Sequence, residues 1–83
     1  MEKVIKVNTT SVYEPRALAE LVGLANKYTS HILLAMGSRQ VNAKSIMGIM
    51  GLGLDVDKDI VIRAEGEDEA QAIAEIEAFL TEN

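Results

Sequence analysis

What the chain lacks narrows the chemistry open to it. It has no cysteine, so thiol nucleophiles, disulfides and zinc–cysteine sites are excluded. Its one histidine, His31, stands at the start of a predicted strand and reads as an ordinary surface or strand-edge imidazole. No metal-ligand spacing is visible, no cofactor is implied, and no cluster of convergent polar groups marks a small-molecule pocket. What remains is a hydroxyl in an unusual setting. In Val41-Asn-Ala-Lys-Ser-Ile-Met-Gly-Ile-Met-Gly-Leu-Gly-Leu54, Ser45 precedes a short apolar run (Ile46, Met47, Ile49, Met50) that Gly51 and Gly53 end. A serine so placed accepts a hydrogen bond from an unpaired first-turn amide, which makes Ser45 an N-cap. The run is too short to be stable as an isolated helix. It is also apolar on more than one side, and so short a helix buries one face only. Some of these side chains are therefore expected to face water, as partner surfaces do. A tightly covered core helix with a routine cap is the alternative that the pattern leaves open.

The elements that must position this segment follow from periodicity. Glu2 to Asn8 alternates, with Ile5 and Val7 facing a core, and reads as a strand. Asn8 to Ser11 is turn-like. Pro15 suits a first helical position, and Leu18, Leu21, Val22, Ala25 and Tyr28 recur at helical spacing, which predicts a helix from Pro15 to Lys27. Ile32–Met36 and Arg39–Ala43 read as a hairpin about Gly37-Ser38. The Ser45 helix follows, then a polar connection over Asp55–Asp59 and a fourth strand over Ile60–Glu65. Ile73, Ile76, Phe79 and Leu80 mark a last helix from Asp68 to Thr81, whose acidic first turn (Asp68, Glu69) suits the positive end of a helix dipole. The order is βαββαβα, without internal repeat or linker. It predicts an α+β domain of two layers spanning residues 1–83, four strands with one apolar face and helices covering it.

Composition agrees with that class. With 48% hydrophobic and 25% charged residues the chain is globular rather than disordered. A net charge of −5 argues against binding nucleic acid through an overall field. All eight basic residues precede Gly66, and the six acids from Gly66 onward read as a solvated helix face. Neither a secretory signal nor an apolar run of membrane-spanning length is visible, which predicts a soluble cytoplasmic protein with no membrane partner.

Val41-Asn-Ala-Lys-Ser-Ile-Met-Gly-Ile-Met-Gly-Leu-Gly resembles the regulatory serine segment of HPr, the small phosphocarrier of the bacterial sugar phosphotransferase system. Leu21-Val-Gly-Leu-Ala-Asn-Lys-Tyr-Thr-Ser30 is similar to the end of that family's first helix, and Ala64-Glu-Gly-Glu-Asp-Glu-Ala-Gln-Ala-Ile73 to its last strand and the opening of its last helix. The resemblance covers nearly the whole chain. It implies an open-faced sandwich, a four-stranded antiparallel sheet with three helices on one face.

One departure bears on function. A working carrier introduces its first helix with Gly-(Leu/Ile)-His-Ala-Arg-Pro-Ala, whose histidine carries the phosphoryl group. Here the matching stretch is Val12-Tyr-Glu-Pro-Arg-Ala-Leu18, so the resemblance puts Glu14 at the histidine's position and Arg16 at the arginine's, with the proline shifted. Imidazole is nucleophilic at neutral pH and exchanges phosphate in both directions, which a carboxylate does only in a site built for it. Glu14 is then a helix-start carboxylate, or a fixed charge imitating the phosphorylated state. The resemblance implies a histidine-lacking regulatory member of the family. It implies phosphorylation of Ser45 by an ATP-dependent HPr kinase/phosphorylase, and binding of the phosphoserine form to a catabolite-control transcription regulator. Ile46, Met47 and Met50 would supply apolar contact, and Arg16 and Lys44 would pair with a phosphate or touch the partner. The alternatives are a phosphocarrier acting with phosphotransferase-system enzymes, and a module that docks through Ile46, Met47 and Met50 whatever the state of Ser45.

Overall fold

A computed structural model describes residues 1–81. Its strands are β1 (Glu2–Lys6), β2 (His31–Met36), β3 (Arg39–Asn42) and β4 (Asp59–Glu65), and its helices are α1 (Pro15–Ala25), α2 (Ile46–Leu52) and α3 (Glu69–Thr81). The strands form one antiparallel sheet in the order β1-β4-β2-β3. Alternation along each strand sends one set of side chains into the core. Ile5, Ile32, Leu34, Ile60, Ile62 and Ala64 are buried beneath the helices, while Val4, Arg63, Glu65 and His31 stand on the open face. The helices close the core with Leu18, Leu21 and Ala25 of α1, Ile49 and Leu52 of α2, and Ala72, Ile73, Ile76 and Leu80 of α3. This is the open-faced sandwich expected from the sequence.

The differences lie at element ends. The first strand stops at Lys6, yet Val7 stays wholly buried in the core, and its amide donates to the Lys58 carbonyl. The following turn contains a single 3-10 turn, Thr10–Tyr13, capped by the Thr9 hydroxyl accepting from the Ser11 amide at 3.2 Å. Helix α1 ends at Ala25 and not at Lys27. Asn26 closes it with its amide on the Val22 carbonyl, and Tyr28 is buried from the turn beyond.

Asp68 does more than favour a helix dipole. Its carboxylate accepts the amides of Thr29 (2.9 Å) and Ser30 (3.0 Å) and the Ser30 hydroxyl, which ties the start of β2 to the start of α3. The Ser30 hydroxyl foremost, and then the Thr29 amide, lower its pKa from 3.8 to about 2. Gly66 completes the joint. It holds φ +151°, and a methyl group there would lie 2.7 Å from the Ser30 Cα, so only glycine lets the two segments approach. Glu69 accepts the Gly66 amide (3.3 Å) and pairs with the chain's amino terminus at 3.2 Å.

Two outcomes are expected. A carboxylate whose folded pKa lies below its unfolded value stabilises the fold above the unfolded pKa and loses that effect as pH falls through the folded one. Melting temperature should therefore drop between about pH 4 and about pH 2 through Asp68, and Asp68→Asn should flatten that part of the profile. Gly66→Ala should cost about 2–3 kcal/mol in urea denaturation, from a strained backbone and the clash with Ser30.

Candidate functional site

Helix α2 is held by its ends and by one face. At its start the Ser45 hydroxyl accepts the Gly48 amide at 3.2 Å, as the N-cap reading requires. Asn42 shapes the approach, its side-chain oxygen accepting the Lys44 amide (2.8 Å) and its carbonyl the Ser45 amide (3.0 Å). At the far end Gly53 adopts the left-handed conformation, and the Arg39 guanidinium of β3 donates to the Gly51 carbonyl at 3.2 Å. Gly48 faces β3, where a methyl group would meet the Val41 Cβ at 3.3 Å, so its small size lets α2 lie close to the sheet.

Seven residues bury only Ile49 and Leu52. The rest of the apolar run stays outside: Met47 is 83% exposed, Met50 48% and Ile46 37%. Ser45 is exposed beside them. This answers the question the pattern left open, since the helix is not a covered one. Lys44 is half-buried, and its ammonium donates to the Tyr28 carbonyl at 2.6 Å. A cation there suits the carbonyls that end α1, and it is already engaged within the chain.

Glu14 and Arg16 lie elsewhere. Glu14 is the residue immediately before α1 and is exposed, with extended backbone and no capping bond from its side chain. Arg16 is exposed as the second residue of the helix, and the pair lines a shallow depression with Ser11, Ala17, Glu20 and Phe79. Among the described residues the ion pairs are Met1–Glu69, Lys3–Glu77 and Glu2–Arg63; Glu14 and Arg16 enter none of them. Two contacts fix how the sites relate. Asn26, closing α1, donates from its side chain to the Lys44 carbonyl at 3.3 Å, while Tyr13, just ahead of α1, donates its hydroxyl to Asp55, just beyond α2. The helices thus run in opposite directions, and Ser45 and Glu14 sit at opposite ends of the pair. His31 is on the open sheet face, apart from both.

Sequence reasoning passed over Tyr13. It is 56% exposed, and its hydroxyl also accepts the Val56 amide at 3.2 Å; the bond to Asp55 raises its pKa. The signal available was an aromatic next to Glu14, but its partner is far away in the chain.

The domain is thus an open-faced sandwich that presents an exposed, helix-capping serine beside an apolar patch. The sequence matches the family described as "PTS HPr component phosphorylation site" over residues 1–82, and the chain belongs to that HPr family. It is 33% identical to the HPr-like protein Crh of Bacillus subtilis over 82 residues, 99% of this chain and 96% of that protein. It is 38% identical to the phosphocarrier protein HPr of Buchnera aphidicola over 81 residues, 98% of this chain and 95% of that one. The crystal structure of HPr from Bacillus anthracis superposes with a TM-score of 0.91 at 32% identity, covering 96% of this chain and 95% of that chain.

Ser45→Ala should lower stability by about 1 kcal/mol in urea denaturation through loss of the Gly48 cap, and Ser45→Asp, which can still accept that amide, should keep most of it.

Proposed function

We propose that this chain is a regulatory member of the HPr family, switched by phosphorylation of Ser45 and not by phosphotransfer through the first-helix position. The observation that carries this reading is the exposed Ser45 hydroxyl with Ile46, Met47 and Met50 uncovered beside it. HPr kinase/phosphorylase moves the γ-phosphoryl group of ATP to the Ser45 oxygen, whose proton is released. The product carries about −1.5 to −2 charge at a helix start, where the Gly48 amide already points at the serine oxygen. The domain need not unfold to hold it.

The phosphate sets the condition for binding and the apolar side chains supply contact area. Unbranched methionines adapt to a partner's contours, which suits docking on a catabolite-control transcription regulator in the cytoplasm. Arg16 reaches the same partner from the other end of the helix pair. Glu14 takes the place of the carrier's histidine. As an exposed carboxylate that makes no capping bond to the helix it precedes, it lacks the built surroundings that a carboxylate needs for reversible phosphoryl exchange. The chain is accordingly a substrate and a ligand, not an enzyme.

Incubation with HPr kinase/phosphorylase and ATP should add one phosphate in intact-protein mass spectrometry, and Ser45→Ala should abolish it; an unchanged wild-type mass with a competent kinase overturns the reading. Phosphoenolpyruvate with the general phosphotransferase enzyme should leave the mass unchanged, whereas a labile phosphate on Glu14 would restore the carrier. Met47→Asp should weaken binding of the phosphorylated protein to the regulator about tenfold or more in titration calorimetry, while the unmodified wild type binds weakly. Equal binding with and without the phosphate would identify a constitutive docking module.

A further inference from the structure

The chain holds four sulfur atoms, all of them methionine thioethers, because it has no cysteine. Their surroundings differ. Met36, the last residue of β2, packs against the core under the end of α2, its methyl group 4.0 Å from where a side chain on Gly53 would begin. Met1 is exposed ahead of β1, away from the helices. Met47 and Met50 stand on α2 at 83% and 48% exposure, three residues apart and so on adjoining turns of one helix face. Neither belongs to the core cluster, to which Ile49 and Leu52 tie the helix. A thioether reacts with two-electron oxidants according to its exposure, and no thiol is present in this chain to react first.

We propose that Met47 and Met50 form a reversible oxidation site, at which a peroxide makes the patch beside Ser45 polar and withdraws it from docking without unfolding the domain; for its partner this rests on the Ser45 reading given above. The lone pair of the methionine sulfur attacks one oxygen of hydrogen peroxide. The O–O bond breaks as the S–O bond forms, and a proton shift lets the second oxygen leave as water. Sulfur is oxidised by two electrons and the peroxide is reduced by two. The sulfoxide carries a strong hydrogen-bond acceptor where a soft apolar atom stood. Water solvates that oxygen on the free protein. Under a partner shaped for a thioether it is buried without a donor, which weakens binding. The Ser45–Gly48 cap and the two core anchors do not involve the modified atoms, so α2 keeps its place. Two inputs then meet on one short helix: phosphate on the serine permits docking, and oxygen on the methionines cancels it.

Titration of the full chain with hydrogen peroxide, followed by peptide mapping in mass spectrometry, should add oxygen to Met47 and Met1 first, then to Met50, and to Met36 last. Stopped before Met36 reacts, the oxidised chain should keep the wild-type melting temperature and elute earlier in hydrophobic-interaction chromatography. Phosphorylated on Ser45, it should bind the regulator about tenfold more weakly than the reduced phosphorylated chain in titration calorimetry. The two methionine sulfoxide reductases should restore the affinity, with dithiothreitol returning two electrons per sulfoxide as it closes to a disulfide. Met1→Leu should lose affinity on oxidation as the wild type does. The double variant Met47→Leu, Met50→Leu, whatever its own affinity, should bind equally before and after peroxide. Oxidation of Met36 in step with Met47, a lower melting temperature, unchanged retention, or undiminished affinity of the oxidised phosphorylated chain would each overturn the proposal. A reduced phosphorylated chain that does not bind the regulator would instead overturn the Ser45 reading, with mapping, melting and retention still deciding the oxidation site.

Discussion

A seven-residue helix cannot hold itself in water, and the display of Ser45 depends on how the domain supplies what α2 lacks. Ile49 and Leu52 anchor it to the core, the Ser45 hydroxyl closes its first turn, and Gly53 with Arg39 closes its last. Two buried side chains fix only one face. The remaining apolar residues have nowhere to go but outward, and Ile46, Met47 and Met50 form a surface as a consequence of helix length. The same shortness puts the capping serine at the rim of that surface.

Opposed helix directions separate Ser45 from Glu14 within one small domain. The Asn26–Lys44 and Tyr13–Asp55 contacts set the start of one helix beside the end of the other. Arg16 lies at one extreme of the pair and Ser45 at the other. The residues at the start of α1 and those at the start of α2 are therefore held by separate contacts. Lys44 belongs to the scaffold in this arrangement, because its ammonium binds the Tyr28 carbonyl.

The joint around Asp68 shows how a polar interaction and a glycine cooperate to position the sheet under these helices. Asp68 orders the Thr29–Ser30 turn that launches β2, and Gly66 allows that turn to pass within contact distance of the end of β4. Because β2 and β4 are neighbours, this joint sets the register at the centre of the sheet, on which both the core face and the open face depend.

Much of this was legible in the chain itself. Alternation in Ile60–Glu65 and the 3.6-residue spacing of Leu18, Leu21 and Ala25 state their own burial, because period and burial are the same physical fact. Ser45 before a short apolar run identified an N-cap, whereas the pattern left open whether that helix was covered, and only the burial of Ile49 and Leu52 alone decided that the methionines face outward. Element ends were less legible, since Asn26 stops α1 before Tyr28 although the hydrophobic repeat continues through it. Only the tertiary structure placed Ser45 and Glu14 at opposite ends of a helix pair, engaged Lys44 with Tyr28, joined Tyr13 to Asp55, and turned Asp68 from a dipole-favouring acid into the clasp of the Ser30 turn. These contacts join residues far apart in sequence, and a local pattern carries no record of which distant group the fold will bring to it.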